Sequence, residues 1–223
     1  MSSPTDASDL SDPGPEACPD PGPEAAARRR TGGRSTRIRA QVLEAVGGLL
    51  VEAGYDALTV DAVAERAGVH RTTVYRRWRD IGGLLADVLE AAADDTWRPA
   101  DTGSLQDDLT ALNQEVFDAL QPDESGAGAS LTTALIAASF RSPEAARALT
   151  LFWEDRYARS AVVADRAVDR GEIPPGLNTR ALLVTATAPL YQELLLLRGA
   201  PDAELPRRAA RAACAAAKAG VFH

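Results

Sequence analysis

Between residues 28 and 79 the chain carries eleven arginines against five acids. Residues 1 to 27 hold six acids and no base, and residues 80 to 223 hold thirteen bases against twenty-one acids. A basic stretch therefore sits inside a chain whose formal net charge is −8. A guanidinium presents its donors in a fixed fork that matches phosphate oxygens. A cluster of them in one small part of an acidic protein is what contact with a nucleic-acid backbone requires. Other chemistries lack their residues. Cys18 stands in a Pro/Asp-rich segment and Cys214 in an Ala-rich one, and with only His70 and His223 beside them they frame neither a disulfide nor a zinc site. There is no phosphate-cradling glycine loop, no GxSxG elbow and no cysteine with a plausible histidine partner. No catalytic residue, metal ligand or cofactor is expected, and a helical enzyme built on chance carboxylate pairs is the remote alternative.

To act together, these arginines must be presented by regular structure. Ile38, Val42, Val46, Leu49 and Leu50 recur at helical spacing between Ser35 and Ala53, and Gly54 follows as a stop. Thr59 is a good N-cap for VDAVAERA, in which Val60, Val63, Ala64 and Ala67 share one face. Gly68 suits a tight turn, Val69 plugs the angle behind it, and RTTVYRRW resumes helical spacing through Val74 and Trp78. Helix, glycine turn, helix, with arginines on the exposed face of the second helix, is the helix-turn-helix pattern. Upstream, Arg28, Arg29, Arg30, Arg34, Arg37 and Arg39 read either as a solvated basic linker or as an arm along the DNA backbone or in a minor groove.

The rest of the chain reads as helices over about 82–97, 104–120, 128–141, 143–170, 178–198 and 202–219, separated by proline and glycine turns. No alternating strand pattern occurs, so the fold class is all-α, an N-terminal three-helix DNA-binding domain plus a larger helical domain. The expected division is a disordered acidic tail with a basic end over 1–30, the helix-turn-helix domain over 31–82 and the larger domain over 83–223. Neither an apolar run of spanning length nor a signal-peptide pattern is present, so no membrane partner and a cytoplasmic location are expected.

The stretch TVDAVAERAGVHRTTVYRRW resembles the DNA-binding signature of the TetR family of bacterial regulators through Thr59, Ala64, Ala67, Gly68, Val69, Thr73, Tyr75 and Trp78. A second likeness, to the ligand-binding and dimerising domain of part of that family, lies in RAVDRGEIPPGLNTRALLVTATAPLYQELLL. The resemblance implies that Thr59 caps the second helix and turns its amino end toward a phosphate. It implies that Arg71, Thr72 and Thr73 reach base edges, that Tyr75 and Arg77 bond phosphates, that Arg76 serves either role, and that Arg37 belongs to the basic arm. Tyr75 and Trp78 also read as core aromatics, Trp78 more so from its spacing. His70 stands where the family often has a serine or threonine cap. The family also places a lysine where Ile81 stands, so one phosphate anchor is missing, and Gly82 and Gly83 are expected to loosen the start of the next helix at roughly 1 kcal/mol each.

For the larger domain the resemblance implies a homodimer, a small-molecule effector and a cavity enclosed by helices carrying Phe117, Phe140, Trp153, Tyr157, Tyr191 and Glu193. Aromatic residues at helical spacing also read as core; Glu193, an acid in an apolar stretch, needs a partner or a charged ligand. Pro189 is expected to bend its helix, and the Ala-rich last helix permits close helix approach in a symmetric dimer. The reading is a ligand-responsive regulator, a repressor released from a palindromic double-stranded DNA operator by an apolar or amphipathic molecule. A ligand-independent architectural or constitutive DNA-binding factor is the alternative.

Overall fold

The computed structural model describes residues 23–92, 96–121, 130–200 and 202–222, with side chains from Ser35 onward. Contacts divide the chain into Met1–Arg37 and Ile38–His223. The acidic tail, up to residue 22, lies outside the described residues. Helix α1 (Pro23–Ala53) opens well before the expected Ser35. Proline at the first helical position followed by the helix formers of EAAARRR accounts for the early start. In the first unit Ser35, Thr36 and Arg37 are exposed.

The second unit continues through α2 (Val60–Ala67), α3 (Arg71–Trp78), α4 (Ile81–Ala92), α5 (Leu105–Leu120) and α6 (Leu131–Ser139). It ends with α7 (Pro143–Ser160), α8 (Val162–Asp169), α9 (Thr179–Leu190) and α10 (Leu205–Lys218). A 3₁₀ turn spans Tyr55–Ala57, a π-helical segment spans Tyr191–Leu196, and no strand occurs among the described residues. Side-chain oxygens close the helix starts. Thr59 accepts from the Ala62 amide at 3.1 Å, Ser104 from Asp107 at 3.1 Å, Ser142 from Ala145 at 3.2 Å and Asn178 from Ala181 at 3.0 Å. The expected single helix over 143–170 is divided at Ala161, although Ala161 keeps helical dihedrals.

Two cores position everything else. Val42, Val46 and Leu50 of α1, Val63 of α2, Val74 and Trp78 of α3, and Leu84 and Leu85 of α4 form the first. That core runs on into Leu135 and Ala138 of α6 and Ala145 of α7, so the first helices are not packed as a closed module. In the second, Leu105 and Leu109 of α5, Val163 of α8, Leu182 and Leu183 of α9 and Ala210 and Ala213 of α10 are fully buried. The alanine face of α10 is buried in this core, against α5 and α9. Asn113, itself fully buried, donates from Nδ2 to the carbonyls of Ala186 and Pro206 at 3.0 Å each, which ties α5 to α9 and α10.

Candidate nucleic-acid interface and helical cavity

The turn between α2 and α3 is made by residues whose conformations only a few side chains tolerate. Gly68 has φ 64°, in the left-handed region, and its amide and that of Val69 close α2 on the carbonyls of Glu65 and Ala64. His70 then caps α3, its Nδ1 accepting from the Thr72 amide at 3.3 Å and lying 2.9 Å from the Thr72 hydroxyl. Val74 and Trp78 face inward and are buried, while Arg71, Thr72, Tyr75, Arg76 and Arg77 are exposed and Thr73 is half-buried. Tyr75 is 49 % exposed, so its ring is no core filler. Thr59 is exposed at the start of α2.

Trp78 is anchored as well as buried. Its indole Nε1 donates to Asp87 Oδ2 of α4 at 2.6 Å, and the same carboxylate accepts from Arg39 of α1, whose Nε lies 3.0 Å from Oδ1. One carboxylate thus ties three helices together. Burial pushes the Asp87 carboxyl upward, but the bonds from Arg39 and Trp78 and the charges of Arg39 and Arg77 outweigh it and hold it below the usual carboxylate range. Arg39, counted with the basic run, is engaged in this pair.

The expectation of a loosened α4 is overturned. The Asp80 carboxylate accepts from the Gly83 amide at 2.9 Å, a side-chain cap on the first turn of α4. A Cβ on Gly83 would lie 2.2 Å from the Trp78 carbonyl oxygen, and one on Gly82 would lie 2.6 Å from Glu144 Cβ of α7. Both glycines are required by close approach, of α3 to α4 in one case and of α4 to α7 in the other. The cost of glycine in a helix is offset by packing that no other residue permits.

A cavity of about 220 Å³ lies among α5, α7 and α9, partly open on one side. Trp153 and Tyr157 of α7 and Tyr191 after α9 line it. The other three residues expected there do not. Phe117 is buried instead in a small core with Leu190 and Leu205. Phe140 terminates α6 and is 83 % exposed, because the helix ends before its side chain can turn inward. Glu193 lies in the π-helical segment and is exposed, so solvent and not a buried partner satisfies its charge. That segment follows Pro189, which has no amide hydrogen and whose ring crowds the preceding turn. Where a bend was expected, the chain widens to an i to i+5 bond from the Leu197 amide to the Gln192 carbonyl at 2.9 Å.

Sequence reasoning missed Trp97, Glu115, Phe152 and Arg156 in the cavity wall. Trp97 lies in the connector before α5, where periodicity carries no signal. Phe152 and Arg156 were legible in principle, since they sit one turn apart on the helix that carries Trp153 and Tyr157. Arg156 lies over the Trp97 ring at 4.3 Å and the Phe152 ring at 5.2 Å, and Trp97 Nε1 donates to Glu115 Oε2 at 2.8 Å. Trp153 meets Tyr191 edge to face, at 5.5 Å and 88°, and stacks on Tyr157 at 6.2 Å and 29°. Burial raises both tyrosines, with the Arg180 charge and a hydrogen bond to Thr187 pulling Tyr157 the other way.

Comparison with known proteins agrees with both halves of this description. Residues 42–88 match the family model "Bacterial regulatory proteins, tetR family", and residues 99–213 match "Tetracyclin repressor-like, C-terminal domain". The HTH-type transcriptional regulator AqdR of Rhodococcus erythropolis is 31% identical over 155 residues, 68% of this chain and 72% of its own. The uncharacterized regulator YdeS of Bacillus subtilis is 26% identical over 155 residues, 70% of this chain and 77% of its own. Among solved structures, the TetR family transcription regulator SCO0332 aligns with a TM-score of 0.59 at 29% identity, over 80% of this chain and 97% of that one. A TetR regulator from Agrobacterium tumefaciens aligns with a TM-score of 0.61 at 22% identity, over 81% and 91%, a likeness of fold. With an all-helical fold, a helix-turn-helix at its N-terminal end and both family models matched, the chain belongs to the TetR family of DNA-binding transcriptional regulators.

Proposed function

We propose that this regulator is a ligand-responsive repressor, a homodimer that leaves a two-fold symmetric operator when a small apolar or amphipathic molecule enters the cavity among α5, α7 and α9. The observation that carries the proposal is the cavity itself, in a region where an architectural factor needs only a solid core. Its wall is also coupled to α3. Helix α7, which carries Phe152, Trp153, Arg156 and Tyr157, packs along α4, and α4 holds α3 through Asp87 and Trp78. A molecule that displaces α7 therefore bears on the helix that faces DNA.

Arg71, Thr72 and Thr73 read base edges in this proposal, Tyr75 and Arg77 bond phosphates, Arg76 does either, and Thr59 and Arg37 support the backbone contacts. The dimer places its two α3 helices on half-sites about one turn, roughly 34–36 Å, or a multiple of it apart. Operator fragments selected from the source genome identify the neighbouring genes, and the substrates and products of those genes are then tested in gel shifts. Loss of operator affinity of about 5- to 150-fold, a coupling of about 1–3 kcal/mol, is expected with the effector. An operator complex that none of these molecules weakens returns the protein to the architectural reading. Arg71→Ala or Thr72→Ala is expected to change operator preference, and Tyr75→Phe to weaken all operators alike. Uniform losses from all three variants, measured across operator substitutions, would remove the recognition role assigned to α3.

A further inference from the structure

Five of the chain's eleven aromatic residues, Trp97, Phe152, Trp153, Tyr157 and Tyr191, stand around this one cavity. Phe152 packs against the first core, Trp97 and Tyr157 against the second and Tyr191 against a third, while all five also line the cavity. The rings are also held in place. Trp153 is fixed by Tyr191 on its edge and Tyr157 on its face, and Arg180 lies over the Tyr157 ring at 5.1 Å. A cavity wall rich in fixed rings favours another flat ring, because offset and edge-to-face contacts contribute beyond the area they bury. An aliphatic chain gains only the area.

Size and charge narrow the class. About 150 Å³ of apolar cavity is enough for a single benzene ring, and this cavity offers about 220 Å³. Its wall holds one acid and one base, Glu115 bonded by Trp97 and Arg156 stacked on two rings, so it presents no net charge to a ligand. Tyr191 lines the cavity, and its hydroxyl, which makes no hydrogen bond to the described residues, is a neutral donor at physiological pH. An acceptor placed against it gains a directional contact that an alkane does not.

We infer that the effector is a neutral, planar molecule of about two fused rings that carries a hydrogen-bond acceptor, its rings against Trp153 and its acceptor on the Tyr191 hydroxyl. This inference rests on the cavity being the effector site, and the test separates the two. Coumarin, 1-octanol and 2-naphthoate, which match that description, lack the rings and carry a charge respectively, are titrated into the full-length protein by calorimetry and into its operator complex by gel shift. Coumarin is expected to bind saturably and at least roughly tenfold more tightly than the other two. Tyr191→Phe, whose melting temperature without ligand checks its fold, is expected to weaken coumarin roughly 2- to 13-fold, the range of one hydrogen bond. Coumarin that does not bind, octanol or naphthoate that binds as tightly, or a Tyr191→Phe variant with unchanged coumarin affinity each overturns the inferred class. Octanol that releases DNA while coumarin does not bind overturns the class and leaves the sensor standing; coumarin that binds as expected without weakening the operator complex does the reverse.

Discussion

Asp87 joins three helices of the first core. Its carboxylate accepts from Arg39 of α1 and Trp78 of α3, and its own backbone lies in α4, so it adds a polar tie to the buried contacts of Val74 and Trp78 that hold α3. Asp87→Asn keeps the shape but removes the charge from both bonds and leaves the Arg39 guanidinium without its carboxylate. A loss of roughly 1.5–3 kcal/mol in urea unfolding is expected, the scale of a hydrogen bond to a charged group. The pH dependence follows from the depressed carboxyl. Its contribution is fully present above the unfolded value of about 3.9 and is lost as pH falls through the lower folded value. Between about pH 5 and pH 2 the parent is therefore expected to lose more stability than Asp87→Asn, and melts across that range compare the slopes. Parallel curves would mean that Asp87 does not titrate differently on folding.

Among the elements, α5 is tied to α9 and α10 by one buried side chain. Asn113 donates to carbonyls of α9 and α10 from a site with no solvent, and its own Oδ1 has no partner among the described residues. Asn113→Ala strands both acceptors and is expected to cost about 2–4 kcal/mol, read from the denaturation midpoint, with the slope of unfolding unchanged. The helices were legible in the sequence wherever a signal was local. Thr59 before VDAVAERA, Gly68 after it, Ser104, and Asn178 each mark a boundary through a cap or a left-handed turn, and the structure has the boundaries there. The cavity was legible only in part, because side-chain direction depends on where a helix ends. Trp153 and Tyr157, assigned to the cavity by the resemblance, lie mid-helix, where the face a side chain takes follows the 3.6-residue period; Phe140 lies at a helix end, and Glu193 in a widened turn, where that period no longer applies. Gly82 and Gly83 were misread for a different reason. Local propensity counts a glycine as a weakness, and only the neighbouring helices show that it is a contact.

In the molecule as a whole, basic residues outnumber acids over residues 28–79, the stretch that holds the helix-turn-helix, and acids predominate over 1–27 and 80–223. Binding is therefore expected to depend steeply on salt, since each neutralised phosphate contributes about −0.9 to the slope of log affinity against log salt. Arg77→Ala is expected to reduce the magnitude of that slope by about 1 per protomer and to weaken all operators alike. A fluorescence titration at several salt concentrations measures both, and an unchanged slope would take Arg77 off the phosphate backbone. No helix among the described residues is long and apolar enough to cross a membrane.

The close approach at Gly82 and Gly83 has a genetic consequence. Any single-nucleotide missense change at a glycine codon installs at least a Cβ, and at position 83 that atom falls on a backbone carbonyl that has no side-chain freedom to yield. Selections for cells that have lost control of the target genes are therefore expected to return changes at these two codons repeatedly. A change at position 82 presses on Glu144 of α7, whereas proteins changed at position 83 should still bind a ligand in the cavity, because Gly83 meets Trp78 and Asp80 and not the walls on α5, α7 and α9. Such alleles would hear the signal and have nothing left to release.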